Sequence, residues 1–358
     1  MRIKSIEFRM LRIQLSGTFK VAFGEINYSE NVLLKMTTDE GITGYGEAAP
    51  LAFVTGETVQ SVIAVLEMLR PGLIGLNPLA VDDIHSIISG AVHGNPSARC
   101  AIDLALHDIH GKALGRPVYQ VLGGGNGVVQ NDITIGLDEP EEMVRKAKYY
   151  TEEKGYRILK VKAGLDPAED IRTLRLIREE VGPGIRLRVD ANQGYSVSAA
   201  ISVLGPFREL CIEAIEQCLP DWDFEGAAYL RTRANGIPLM LDESIQGPRE
   251  AARACRLGAA DVLNIKLMKC GGLYPAGQIS AIADAHGLTC MVGCMIETRL
   301  SITAGLSLVA AKRNITDADC DSFLYYDNAQ TGVTGGFTIE GDMFHLSDGP
   351  GFGVEVDF

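Results

Sequence analysis

The chain has 358 residues, 46% hydrophobic and 22% charged, the balance of a globular protein with room for two domains. A formal net charge of −13 excludes general nucleic-acid binding, which needs basic surface, but not a site that is locally positive. No apolar run approaches the roughly 18 residues of a membrane span, so neither a membrane nor a nucleic acid is an expected partner.

Met1-Arg2-Ile3-Lys4-Ser5-Ile6-Glu7 alternates like a strand and lacks a signal-peptide apolar core. Strand patterns continue to Ile13, resume at Asn31 to Met36, and turn at Asp39-Glu40-Gly41 into Thr43 to Glu47. The break at residues 16–29 carries Gly17, Phe19, Phe23 and Gly24, and a second stretch at 49–56 carries Pro50, Phe53 and Val54. Both are expected to be lid loops, with ordinary surface loops as the alternative. From Glu57 to Leu114 the period is helical, with Ser97 as an expected N-cap and Gly115 as a stop. Gly123 to Gly125 lacks the strand and Lys-Ser/Thr of a phosphate loop and reads as a turn into a second domain.

Asn131 to Gly136 reads as the first strand of a repeating series. In Arg157 to Gly164 two lysines alternate with apolar residues, which puts Lys160 and Lys162 on one strand face. A buried charged pair needs anionic partners. Asp190, Glu216 and Asp242 each end a later apolar run, and Lys266 ends Val262 to Lys266. These landmarks recur about every 24 to 28 residues, the length of one strand, one helix and two loops in a β/α barrel. Cys290 to Ile296 and Ala318 to Asp321 close the series, and Gly332 to Phe358 reads as strands and turns returning to the first domain. The expected fold is α/β: a TIM-type barrel at 126–325, capped by an α+β domain built from 1–125 and the tail 326–358.

The eight cysteines form no CxxC pair, and no Cys/His set has zinc spacing. Most are expected to be buried thiols, which together with the absent leader suggests the cytoplasm. His107 and His110 read as structural.

Barrel active sites sit where strands end. Three carboxylates converging there repel unless a cation holds them, and oxygen donors without Cys or His suit magnesium, with manganese able to substitute. Helix capping is the competing role for any one of these acids. Lys162 and Lys266 lie on opposite sides of the acids in barrel order. A substrate carboxylate between them presents its α-carbon to both amines, so a proton removed by one and returned by the other inverts that carbon. A cation and a second lysine nearby would lower a lysine's pKa. Lys160 is read as a source of charge near the carboxylate, and Lys269 as part of the loop or helix beyond the strand.

The motifs Lys160-Val161-Lys162, Asp190-Ala191-Asn192, Glu216-Gln217, Asp242-Glu243-Ser244 and Ile265 to Gly272 together resemble the enolase superfamily, muconate-lactonising subgroup, over nearly the whole chain. The resemblance implies a split cap on a modified (β/α)7β barrel and a lysine-and-magnesium mechanism, a general pattern for such sites. Within that subgroup the chain is most like the dipeptide epimerases. In those enzymes an Asp-x-Asp at the eighth strand holds the substrate's α-ammonium, and Asp319-Cys320-Asp321 stands there. Thr134, Cys294 and Ile296 match positions that line the dipeptide site. L-Ala-D/L-Glu epimerases tend to carry an arginine in the first lid where this chain has glycine, within Lys20 to Glu25. With Phe19, Phe23, Phe53 and Val54 nearby, neutral or hydrophobic dipeptides are the expected substrates, unless Lys20 or Arg299 points inward. The alternatives are an N-acylamino-acid racemase, a muconate cycloisomerase or an o-succinylbenzoate synthase of the same subgroup, and, outside catalysis, a metal-binding barrel. A dipeptide is the expected partner, and a homo-oligomer the expected assembly.

Overall fold

The protein was analysed as a computed structural model in which residues 1–21 and 24–358 are described. Phe23 of the expected lid lies outside the described residues, as does the side chain of Phe19. Strands β1 (Ile3–Val21), β2 (Gly24–Thr38) and β3 (Thr43–Ala48) form an antiparallel sheet. Val32 to Leu34 are buried without alternation because the sheet is covered on both faces. Val32, Leu34 and Met36 pack on helices α2 (Val59–Leu73), α3 (Val81–Ala91) and α4 (Pro96–Leu114), which follow the short turn α1 (Ala52–Thr55). Ile13, Leu15 and Leu33 join the core shared with the barrel. α4 lies directly on β3: a Cβ on Gly46 would sit 1.8 Å from the carbonyl oxygen of Ala101. Only glycine permits that approach.

Two local expectations are corrected. Residues 16–21 and 24–29 form a two-stranded ribbon, not a loop. β1 and β2 continue past the sheet, with a register shift between Gln14 and Phe19. Polar cross-strand pairs, Thr18 with Asn27 at 2.7 Å and Lys20 with Glu25 at 3.7 Å, sustain it in solvent, and Gly17 does not end β1. Ser97 does not cap α4: it lies inside the helix, and the carboxylate of Glu57 accepts from the Ser97 and Ala98 amides at 2.9 and 3.2 Å. Gly115 does end the helix in the left-handed region, at φ 64°.

After α5 (Val118–Val121) and β4 (Val128–Gln130) come the eight parallel barrel strands: β5 (Ile133–Ile135), β6 (Ile158–Lys162), β7 (Arg186–Asp190), β8 (Ile212–Glu216), β9 (Leu239–Leu241), β10 (Val262–Lys266), β11 (Thr289–Gly293) and β12 (Ile315–Asp319). They are hydrogen-bonded in sequence order, and the Asp132 amide donates to the Ala318 carbonyl at 3.0 Å, drawing the two ends together. Helices α6 (Pro140–Lys148), α7 (Pro167–Val181), α8 (Val197–Glu209), α9 (Phe224–Arg231), α10 (Pro248–Leu257), α12 (Leu273–Ala285) and α13 (Arg299–Ala311) surround them, with α11 (Leu267–Cys270) a single turn after β10. All five residues of β6 are buried, as in a strand covered by helices outside and by the barrel interior inside. Leu159 and Val161 pack outward against the helices, leaving Lys160 and Lys162 for the interior.

The tail forms β13 (Val333–Gly335), β14 (Phe337–Glu340), β15 (Met343–Leu346) and β16 (Val354–Val356). β15 pairs with β4, the Phe352 amide donates to Asp108 of α4 at 3.0 Å, and Arg9 of β1 donates to the Asp357 carbonyl at 2.6 Å. All eight cysteines are free; Cys100, Cys218, Cys290 and Cys320 are buried, whereas Cys211 is exposed. Among the described residues no helix is long and apolar enough to cross a membrane.

Candidate active site

Lys162, Asp190, Glu216 and Lys266 are the last residues of β6, β7, β8 and β10, and Asp242 is the first residue past β9. The parallel register sets Lys162 beside Asp190, and Asp190 beside Glu216. Asp190, Glu216 and Asp242 are buried, and each offers a carboxylate oxygen within 4.8 Å of the others. The amines converge on them. Lys162 Nζ lies 2.7 Å from Asp190 Oδ2 and 2.9 Å from Asn192 Oδ1. Lys266 Nζ lies 2.8 Å from Asp242 Oδ2. Lys160 Nζ reaches Glu216 Oε2 at 2.8 Å, Asp190 Oδ2 at 3.1 Å and Asp319 Oδ2 at 2.7 Å.

The charges shift one another. Burial pushes the Glu216 carboxyl up, and Asp190 adds to this, to about 7. Burial acts in the same sense on Asp190, but Lys162 and Lys160 outweigh it and hold Asp190 near about 2. For Asp242 the neighbouring Lys266, Lys269 and Lys160 likewise overcome burial and keep it well below the usual carboxylate range. Burial lowers Lys266, yet Asp242 and Glu216 more than reverse this. The protein's own groups thus act on Lys266 in the opposite sense from that expected of a cation.

The donor set fits a hard divalent ion. Six carboxylates (Asp190, Glu216, Asp242, Glu243, Asp319 and Asp321) face four ammonium groups (Lys160, Lys162, Lys266 and Lys269), a formal excess of two negative charges. Glu243 Oε2 is buried without a hydrogen-bond partner, and buried carboxylates without compensation are costly. Oxygen donors with no sulfur or imidazole among them suit magnesium or manganese.

On the β12 side of the pocket, Asp319 Oδ1 accepts from Thr134 Oγ1 at 3.2 Å, and Asp321 Oδ2 accepts from the Thr134 amide at 2.7 Å and from the Tyr325 hydroxyl. Burial, reinforced by Asp319, lifts the Asp321 carboxyl to about 6. Ile26, Leu51, Val54, Cys294, Met295 and Ile296 provide the apolar wall. The catalytic, metal-ligating and substrate-binding residues expected from the sequence are brought together: Thr134, Lys160, Lys162, Asp242, Lys266, Cys294, Ile296, Asp319 and Asp321 line the pocket, and Asp190 and Glu216 are reached through their lysine contacts. Val54 faces the pocket as expected, but Phe53 is a correction: it is 51% exposed on its helical turn, and Leu51 lines the pocket instead. Lys20 pairs with Glu25, and Arg299 donates to the Gly335 and Phe337 carbonyls and lies over the Phe337 ring, so neither enters the pocket.

Three residues escaped the sequence reading. Asn192 bonds Lys162 and, at 3.1 Å, Glu243; it stood in a recognised motif without an assigned role. Tyr325 orients Asp321 from one helical turn further on, and nothing in its sequence neighbourhood marks it. Lys269, placed correctly at a helix start, is buried and bonds Asp242 Oδ1 at 2.5 Å. The signal for it was its spacing: three residues after Lys266 is nearly one helical turn.

Residues 6–123 match the family described as "Mandelate racemase / muconate lactonizing enzyme, N-terminal domain", and residues 142–358 match "Enolase C-terminal domain-like". The chain is 38% identical to the hydrophobic dipeptide epimerase of Enterococcus faecalis, covering 99% of each chain. It is also 38% identical to the L-Ala-D/L-Glu epimerase of Clostridium acetobutylicum, again over 99% of each. A crystal structure of the Enterococcus faecalis dipeptide epimerase, complexed with Mg and the dipeptide L-Leu-L-Tyr, superposes with a TM-score of 0.96 at 38% identity and 99% coverage of both chains.

Proposed function

Since this chain belongs to the mandelate racemase/muconate lactonizing enzyme family of the enolase superfamily, we propose that it is a magnesium-dependent dipeptide epimerase that prefers neutral or hydrophobic dipeptides. One observation carries the reading: a pair of carboxylates, Asp319 and Asp321, lines the same pocket as Lys162 and Lys266, which flank a cluster of strand-end acids, with Lys160 Nζ between Asp319 and that cluster. The pocket thus offers anions for a free amine on its β12 side and cations for a carboxylate beside the acid cluster, the two charged groups of a dipeptide.

Asp190, Glu216 and Asp242 would hold the ion, with manganese as the substitute. When bound, the ion supplies positive charge opposite the negative charge that develops on the substrate carboxylate as the α-proton leaves. Asp319 and Asp321 bind the α-ammonium, and Thr134 and Tyr325 fix their oxygens. Lys162 Nζ, as the free amine, takes the α-proton from one face, while the Lys266 ammonium returns a proton to the other. The reverse direction exchanges their roles. Lys160 adds positive charge between the acid cluster and Asp319, and Cys294 and Ile296 line the pocket wall. Among the described residues, the cations lining the pocket are Lys160, Lys162 and Lys266, each already bonded to a buried acid, so no further cation there pairs an acidic second side chain.

The test is α-proton exchange in D₂O followed by NMR with magnesium present, comparing L-Ala-L-Phe, L-Ala-L-Glu and N-acetyl-L-phenylalanine. L-Ala-L-Phe is expected to exchange fastest. Lys162→Ala and Lys266→Ala should each lose exchange from one stereoisomer preferentially, by about 10²-fold or more. Faster exchange of L-Ala-L-Glu defeats the side-chain preference, and exchange of the N-acetyl compound alone favours an N-acylamino-acid racemase. Exchange untouched in both lysine variants removes the two-base mechanism.

A further inference from the structure

We infer that Lys269 is a positioning residue that limits Asp242 to a single ligand oxygen, and that the site thereby discriminates against large divalent ions. The inference rests on the proposed reading of Asp190, Glu216 and Asp242 as cation ligands.

Each of the three carboxylates has one oxygen tied back into the protein. Asp190 Oδ1 accepts from the Asn192 amide at 2.9 Å, and Glu216 Oε1 from Asn264 Nδ2 at 2.6 Å. Asp242 Oδ1 accepts from Lys269 Nζ at 2.5 Å. The remaining oxygens, Asp190 Oδ2, Glu216 Oε2 and Asp242 Oδ2, are the ones that meet Lys160, Lys162 and Lys266. The cluster is thus built to present one oxygen per residue.

Two of these ties are neutral donors. The third is a buried charge, and a buried ammonium is destabilising unless every proton is engaged. Lys269 is 1% exposed, and its three N–H groups have three acceptors: Asp242 Oδ1, the Asp242 carbonyl, and the Asn264 carbonyl at 3.3 Å. Gripping the side chain and the carbonyl of the same residue fixes how the Asp242 carboxylate is turned. A methionine would fill the same volume without that grip. Lys269 is absent from the lining of the substrate pocket, so its role acts through Asp242.

The consequence follows from ion size. Magnesium takes near-ideal octahedral geometry and is satisfied by single carboxylate oxygens, whereas calcium seeks six to eight oxygens and uses carboxylates in bidentate fashion. With Oδ1 held by Lys269, Asp242 cannot close on a large ion with both oxygens. Replacing Lys269 removes a positive charge, which tightens every divalent ion alike, so the ratio of calcium to magnesium affinity isolates the geometric effect.

The experiment is calorimetric titration of wild type and K269M with magnesium chloride and with calcium chloride. The ratio of calcium to magnesium affinity should rise at least about tenfold in K269M, equivalent to about 1.4 kcal/mol. A ratio within about threefold of wild type in folded K269M overturns the inference and leaves the cation reading standing; failure of the wild type to bind either ion overturns both. X-ray absorption and a crystal structure of the manganese-loaded wild type decide the matter if K269M does not fold. One oxygen from each acid supports the inference, and bidentate Asp242 or ligation through the oxygen facing Lys269 overturns it.

Discussion

Asp321 is buried beside Asp319, and that burial sets when it can hold an ammonium. With the carboxyl lifted to about 6, it is ionised and attractive above that value and neutral below it. KM for L-Ala-L-Phe is therefore expected to rise as pH falls through about 6 in the free enzyme, more steeply than kcat changes. Asp321→Asn should abolish that dependence and raise KM by roughly ten- to a hundredfold, the worth of about 1.5–3 kcal/mol for a charged hydrogen bond. A pH profile of kcat/KM for both proteins checks it, and a profile shared by the two defeats the assignment. At this scale the strand-end residues were legible, because alternation in β6 and regular spacing to Asp190, Glu216, Asp242 and Lys266 locate them without any contact being known. Tyr325 and Lys269 were not, because a turn after β12 and a single helical turn after β10 aim them, and periodicity does not report turn geometry.

Strands and helices fix those residues only as well as the loops between them are packed. The loops after β6 and β7 touch backbone to backbone. A Cβ on Gly164 would lie 2.2 Å from the Ala191 carbonyl oxygen, and one on Gly194 would lie 2.1 Å from the Gly164 carbonyl oxygen. Gly164 also has φ +102°, which an L side chain rarely adopts. Gly164→Ala thus combines backbone strain with overpacking and is expected to destabilise by roughly 2–5 kcal/mol. It should also lower kcat, because the same contact sets Lys162 against Asn192. Urea denaturation checks the first claim, with Gly184→Ala as control: nothing lies within 4 Å of that position, and its stability should stay within about 0.5 kcal/mol of wild type. Most elements were readable from their periods. The exceptions share a cause: the ribbon of β1 and β2 persists through cross-strand pairs, and α4 is capped by Glu57 from about 40 residues away. Both depend on partners distant in the chain, where glycine and serine signals describe only their neighbours.

The cap reaches into the barrel at the loops that shape the pocket. Glu47 of β3 accepts from the Thr298 amide at 2.9 Å and hydroxyl at 2.7 Å, and Asn31 of β2 donates to the Ile296 carbonyl at 2.9 Å. On the far side, Asp103 of α4 accepts from the Leu273 and Tyr274 amides at the start of α12, just after the turn that carries Lys269. His85 at 2.7 Å and His107 at 3.3 Å flank Asp103. Burial opposes ionisation of Asp103, but His107 and His85 outweigh it and hold the carboxyl well below its usual range. Burial also lowers His107, and Asp103 more than compensates, leaving it raised above 6.5. A raised histidine contributes stability that is complete below its unfolded value of about 6.5 and is lost as pH climbs through the folded value. The depressed Asp103 contributes above its unfolded value of about 3.9 and loses this only in stronger acid. The latch between cap and barrel is therefore strongest from about pH 4 to about pH 6.5. His107→Gln keeps a hydrogen-bonding side chain but removes the charge, so wild type should exceed it in stability by more at about pH 6 than at about pH 9. Urea midpoints of the two proteins at both values measure this. A gap that is constant, or wider in alkali, means that His107 supports Asp103 as a neutral donor and that α4 and α12 are held without an ion pair.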